Sequence, residues 1–176
     1  GDLYQQPLFT VERFETLPEK DKPMEDRFYG FLFQDSDFYK WIEAVGYSLQ
    51  NQPDATLEQL ADEAIEYVRR AQMKDGYLNT FYSINHPSKR FTNLRDHHEL
   101  YCFGHLAEGA IAYYQATGKS VLLDVTEKYA AYIHQHFGTG EGQKRGYCGH
   151  EIAEMALARL YDVTGKDIYR ELGQFF

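Results

Sequence analysis

His98 and His150 carry the clearest chemical signal in the chain. Each stands at the expected start of an apolar helix, His98 in Asp96-His97-His98-Glu99 and His150 in Cys148-Gly149-His150-Glu151. A neutral imidazole offers one donor and one acceptor, a combination that suits two neighbouring sugar hydroxyls. Two such rings on adjacent helix starts could grip one small ring. The loops that lead into these helices bring further polar groups to a pocket rim: Asp35, Asp37, His97 and Glu99. Helix N-termini add free N–H groups that favour anions and hydroxyl oxygens.

The same residue types admit structural roles. Asp37 and Asp96 suit N-cap positions, with Glu99 three residues after Asp96 completing a capping box. His105 falls inside a helix and reads as a hydrogen-bonded core histidine. His98, Cys102 and His105 share a helical face and would make part of a metal site, but no fourth ligand is evident. Gly138-Thr139-Gly140-Glu141-Gly142 follows no strand and so fails the context of a phosphate loop. His86 and His134 read as surface residues.

A near-repeat sets the frame that positions these groups. Gly104-His105-Leu106-Ala107 running to Thr117-Gly118-Lys119 parallels Gly149-His150-Glu151-Ile152 running to Thr164-Gly165-Lys166. Such a period, with two helices per unit, indicates stacked helical hairpins. Apolar spacing predicts helices over 38–50, 57–73, 98–116, 121–136 and 150–163, with a sixth beginning at Asp167. Thr56 and Gln59 have capping-box spacing for the second. The first, third and fifth are apolar on most sides and should be inner; the second and fourth are one-faced and should be outer. The predicted fold is therefore all-α, an α/α toroid representing the first half of an (α/α)6 barrel over residues 28–176. Half a ring leaves inner-helix flanks uncovered, so the natural protein is expected to continue past Phe176. Residues 1–27, with Pro7, Pro18 and Pro23, read as an irregular N-terminal segment.

Bulk properties narrow the function. The 176 residues hold 18 Lys and Arg against 27 Asp and Glu, a net charge of −9 with no basic run. Nucleic acid and membrane are therefore not expected partners. No stretch is long and apolar enough to span a bilayer. Two cysteines, Cys102 and Cys148, do not make a disulfide framework, so a cytoplasmic location is expected, although the chain begins at Gly1 and secretion stays open. The 15 Tyr and 12 Phe serve either a helical core or the aromatic walls of a carbohydrate pocket.

Several motifs resemble glycoside hydrolase family 127, the β-L-arabinofuranosidase family. They are Phe28-Tyr29-Gly30, then Phe33-Gln34-Asp35-Ser36-Asp37-Phe38-Tyr39-Lys40-Trp41-Ile42-Glu43-Ala44, then Ala71-Gln72 with Asp75-Gly76-Tyr77-Leu78-Asn79-Thr80. His98-Glu99-Leu100-Tyr101-Cys102, Gly104-His105-Leu106 and Gly149-His150-Glu151-Ile152 follow in order. No motif is identified in residues 1–27. The resemblance implies an (α/α)6 barrel followed by β-sandwich domains, and retaining hydrolysis of terminal β-L-arabinofuranosyl residues from a carbohydrate substrate. It implies a zinc-bound cysteine as nucleophile and a glutamate as acid/base, with zinc held by cysteines and a glutamate. Those residues belong to the later part of the family's barrel, beyond residue 176. No catalytic residue and no bound metal are therefore expected within this chain, which alone should be inactive and lacks the remainder of the barrel as a partner; a homodimer is left open. Two sugar-binding histidines of the family carry over to His98 and His150. Competing readings are another α/α-barrel carbohydrate enzyme, such as a lyase, glycuronyl hydrolase or epimerase, and a non-enzymatic helical-repeat interaction module.

Overall fold

A computed structural model describes residues 30–176; the expected irregular segment 1–27 lies outside the described residues, as do Phe28 and Tyr29. Among the described residues the chain is helical: α1 (Asp35–Asn51), α2 (Ala55–Ala71), α3 (Thr80–Asn85), a 3-10 turn (Pro87–Lys89), α4 (Glu99–Thr117), α5 (Val121–His136), α6 (Ile152–Thr164) and α7 (Asp167–Phe175). The only β pairing among them is an isolated bridge between Phe137 and Lys144.

Two layers result. The inner layer is α1 packed on α4 and α4 on α6, while α2 lies against α5 and α5 against α7 outside. The apolar patterns explain this division. In α4, residues from Leu100 to Tyr113 are buried on nearly every side, whereas α2 buries the single face Ala61, Ala64, Ile65, Val68 and Ala71. Full burial of a side chain such as Ile111 or Leu106 is worth roughly 1.5–3 kcal/mol, so the inner helices supply most of the cohesion.

Glycine lets the inner helices approach closely. A Cβ on Gly46 would come within 2.6 Å of the Ala112 backbone, and one on Gly109 within 2.6 Å of the Tyr39 carbonyl oxygen. Gly104 meets Ile152 of α6 in the same way. The two Gly-His pairs are consequently not equivalent. Gly104-His105 lies inside α4 at a helix crossing, while Gly149-His150 precedes α6.

The repeat is exact in role at the other end. Gly118 and Gly165 both close their helices in the left-handed conformation, at φ 74 and 68. Thr117 and Thr164 each donate a hydroxyl back to the carbonyl four residues earlier. Lys119 then reaches Glu58 and Asp62 on α2, and Lys166 reaches Glu127 on α5. Each Thr-Gly-Lys thus turns the chain outward and pins it to the preceding outer helix.

Several helix starts differ from expectation. Asp54, not Thr56, caps α2: its carboxylate accepts the N–H groups of Thr56 and Leu57 at 2.9 and 3.0 Å. Asp37 and Asp96 cap nothing; the residues preceding α1 and α4 are Gln34 and His98, neither with a side-chain cap. Within the stretch 75–97, α3 is started by Asn79, whose side chain accepts from Tyr82 N at 3.1 Å. No helix among the described residues is long and apolar enough to cross a membrane.

Candidate active site

The three loops that enter α1, α4 and α6 meet at one end of the inner layer. Asp35 joins the first to the second, accepting from Thr80 N at 2.7 Å and from the Thr80 hydroxyl at 2.5 Å. Leu94 joins the second to the third, its carbonyl accepting from Gly149 N at 3.3 Å. At this junction His98 and His150 face one another, Nε2 to Nε2 at 3.2 Å, with ring centroids 5.0 Å apart.

The partners of His98 fix its tautomer. Its Nδ1 lies 2.6 Å from the carbonyl oxygen of Asp96, and a carbonyl only accepts, so Nδ1 carries the proton. In the neutral ring Nε2 is then an acceptor, and Nε2–H of His150 donates to it. The pair thus presents one acceptor and one donor side by side. His98 holds this position with φ 58 and ψ 19, a left-handed conformation uncommon outside glycine. Strain of this kind persists where surrounding contacts over-determine it.

Aromatic groups flank the pair, and His150 is exposed to solvent. Tyr101 packs against His98, His105 and His150 with centroids 5.4, 4.6 and 4.9 Å away, and Phe33 lies 5.4 Å from His98. Lys40 donates to the Tyr101 hydroxyl at 2.8 Å and to Ser36 Oγ at 3.3 Å. It also lies 3.8 Å from the exposed Asp37 carboxylate. Residue type alone does not mark Lys40, Tyr101 or Phe33 as part of the site. The signal that could have found Tyr101 is its spacing: residues 98, 101 and 105 share a face, with the tyrosine between two histidines.

The other expected rim residues occupy different settings. Asp35 and Glu99 are 3% and 1% exposed and lie beneath the rim. Glu99 accepts from the Tyr77 hydroxyl at 2.5 Å and from Phe91 N at 2.7 Å, so it is not a capping-box partner of Asp96. Burial pushes its carboxyl up to about 7, against the pull of these donors and of the Arg90 charge. His97 turns toward α3, where its Nδ1 lies 2.6 Å from the Tyr82 hydroxyl. His105 is half-buried against Tyr101, and its Nδ1 has no hydrogen-bond partner, contrary to the core-histidine expectation. Burial, with the nearby Lys40 and His150, lowers it to about 4.

Neither cysteine sits as an activated thiolate. Cys102 points from α4 toward the Phe33 carbonyl and burial raises it well above its ordinary value. Cys148 donates to the His150 carbonyl, and burial raises it to about 11. Both are free. No group of three His, Cys, Asp or Glu among the described residues is placed to hold a metal. The loop Gly138–Gly142 is filled by the Gln143 side chain, whose carbonyl accepts from Gly140 N at 3.0 Å, leaving no anion cradle.

The profile of the β-L-arabinofuranosidase GH127 catalytic domain matches residues 4–176. The chain is 42% identical over 156 residues to a non-reducing end β-L-arabinofuranosidase of Bifidobacterium longum subsp. longum, covering 86% of this chain and 24% of the relative. It is similar to the crystal structure of a GH127 β-L-arabinofuranosidase from Geobacillus stearothermophilus T6, at TM-score 0.90 and 52% identity, over 97% of this chain and 26% of that one. A second solved GH127 β-arabinofuranosidase matches at TM-score 0.86 and 40% identity, over 94% and 27% of the two chains. The chain thus spans about a quarter of the length of these relatives. The profile match over nearly its whole length shows that the chain belongs to the GH127 β-L-arabinofuranosidase catalytic-domain family.

Proposed function

We propose that this span supplies the sugar-gripping wall of a retaining β-L-arabinofuranosidase, with His98 and His150 binding vicinal hydroxyls of a terminal β-L-arabinofuranosyl residue. The observation that carries the reading is the facing Nε2 pair at 3.2 Å. A diol entering between the rings replaces their mutual hydrogen bond by two: one hydroxyl donates to Nε2 of His98, and its neighbour accepts from Nε2–H of His150. Because the rings already hold complementary roles, no tautomer change is needed on binding. Tyr101 and Phe33 supply apolar faces beside the sugar.

The nucleophile, the acid/base and the zinc site are assigned to the part of the relatives that this chain does not span. Residence in the reducing cytoplasm belongs to the same proposal, supported by the two free thiols. The test is a substrate panel on the complete polypeptide expressed from the native gene. Cleavage of 4-nitrophenyl β-L-arabinofuranoside in strong preference to the α-L anomer and to pyranosides supports the reading. A preference for uronides, or elimination products, overturns it.

A further inference from the structure

The segment Phe91–His98 is a closed loop, and Glu99 closes it. The loop begins and ends on left-handed residues, Phe91 at φ 55 and His98 at φ 58, the only non-glycine residues of positive φ among the described ones. Between them the carboxylate of Glu99 reaches back across the neck and accepts the Phe91 N–H at 2.7 Å. Its other oxygen is held by Tyr77, which is fully buried, at 2.5 Å. Arg90 stacks over the Tyr77 ring at 4.0 Å and is itself tied to Asp75 at 2.6 Å and to the Tyr132 hydroxyl at 3.1 Å.

The loop serves both histidines. His98 is its last residue. At its tip, the Leu94 carbonyl accepts the Gly149 N–H, and the Arg95 carbonyl oxygen lies where a Cβ on Gly149 would be, at 2.6 Å. His150 is therefore seated on the same loop that ends in His98. We infer that Glu99 is a positioning residue for the sugar-binding pair: by closing the neck of the Phe91–His98 loop it sets the separation of His98 and His150.

The inference rests on the proposed role of the two histidines, and a mutant cycle in the complete enzyme separates the two. Glu99→Ala is made in the wild-type background and in a His98→Ala/His150→Ala background, and kcat/KM on 4-nitrophenyl β-L-arabinofuranoside is measured for all four enzymes. A residue acting through the pair is non-additive with it. Glu99→Ala is expected to lower kcat/KM on the order of tenfold or more in wild type, and by less than about threefold where the histidines are absent. Glu99→Gln keeps an acceptor for the Phe91 N–H and should recover most of the loss. If Glu99→Ala does not fold, Tyr77→Phe, which deletes one hydrogen bond to Glu99 at constant core volume, is run through the same cycle. An equal loss in both backgrounds overturns the positioning role and leaves the sugar-binding reading intact. Wild-type kcat/KM in the doubly substituted histidine enzyme overturns the sugar-binding reading, and the positioning role with it.

Discussion

Nε2 of His98 and Nε2 of His150 stand 3.2 Å apart although the two residues are separated by 52 positions in the chain. Because the Asp96 carbonyl claims the Nδ1 proton of His98, one proton serves the two facing nitrogens and the pair is chemically directional. Nitrogen-15 NMR of the histidine side chains should show His98 as the Nδ1–H tautomer and His150 as the Nε2–H tautomer. An Nε2–H tautomer at His98 would contradict the hydrogen-bond assignment.

Gly149→Ala tests the seat of His150. The new Cβ would overlap the Arg95 carbonyl oxygen at 2.6 Å, and because that atom is backbone it cannot rotate away. The Leu94–Gly149 contact should open and carry His150 off its partner. A displacement of about 1 Å at a binding group can cost on the order of a hundredfold, so kcat/KM should fall by at least about tenfold while the far-UV circular dichroism stays unchanged. Wild-type kinetics would mean that His150 is placed by α6 alone.

Two shifted titrations, one of a buried group and one of a half-buried one, should give the stability profile opposite slopes. Glu99 is raised from 4.5 to about 7, so its contribution is fully present below about 4.5 and is lost as pH rises through 7. The groups around it are Tyr77, Arg90 and Lys144, with Tyr82 and Tyr129 beyond. Glu99→Gln lacks the titration, so its melting temperature relative to wild type should climb from pH 4.5 to 7 and then level off. His105 is lowered from 6.5 to about 4, so its contribution is present above 6.5 and is lost as pH falls toward 4. His105→Leu should remove that acid-side loss. A pH-independent difference for either variant would contradict the assignment.

The crossing of α1 on α4 depends on absent side chains. Gly46→Ala and Gly109→Ala each place a Cβ against backbone of the facing helix at 2.6 Å. Overpacking of this kind costs typically about 1–3 kcal/mol, and urea midpoints should fall accordingly. At Gly118 nothing lies within 4 Å, and the penalty of alanine there is only that of its φ of 74.

What sequence could show divides along physical lines. The 3.6-residue period in α2 and α5 and the all-round apolarity of α4 are local, and they placed the inner and outer layers correctly. The Thr-Gly-Lys repeat marked two helix ends because a left-handed C-cap has a nearly private residue preference. The six-residue α3 carries too little of a period to be read that way. The capping-box spacing of Glu99 hides its role, because its donors, Tyr77 and Phe91, are 22 and 8 residues away. Helical spacing groups Cys102 with His98 and His105, but Tyr101 is the residue that faces both, and Cys102 lies on the buried side. The left-handed turns at Phe91 and His98 have no glycine to mark them, and although histidine is more tolerant of that region than phenylalanine, neither residue type signals it.

The central claim is that His98 and His150 bind the sugar. It is tested most directly by kcat/KM of His98→Ala and His150→Ala in the complete enzyme on a β-L-arabinofuranoside. Each sugar hydrogen bond lost should lower kcat/KM by on the order of tenfold or more. The double variant should lose less than the product of the two, because the rings bond one another. Wild-type kcat/KM in both single variants would contradict the account.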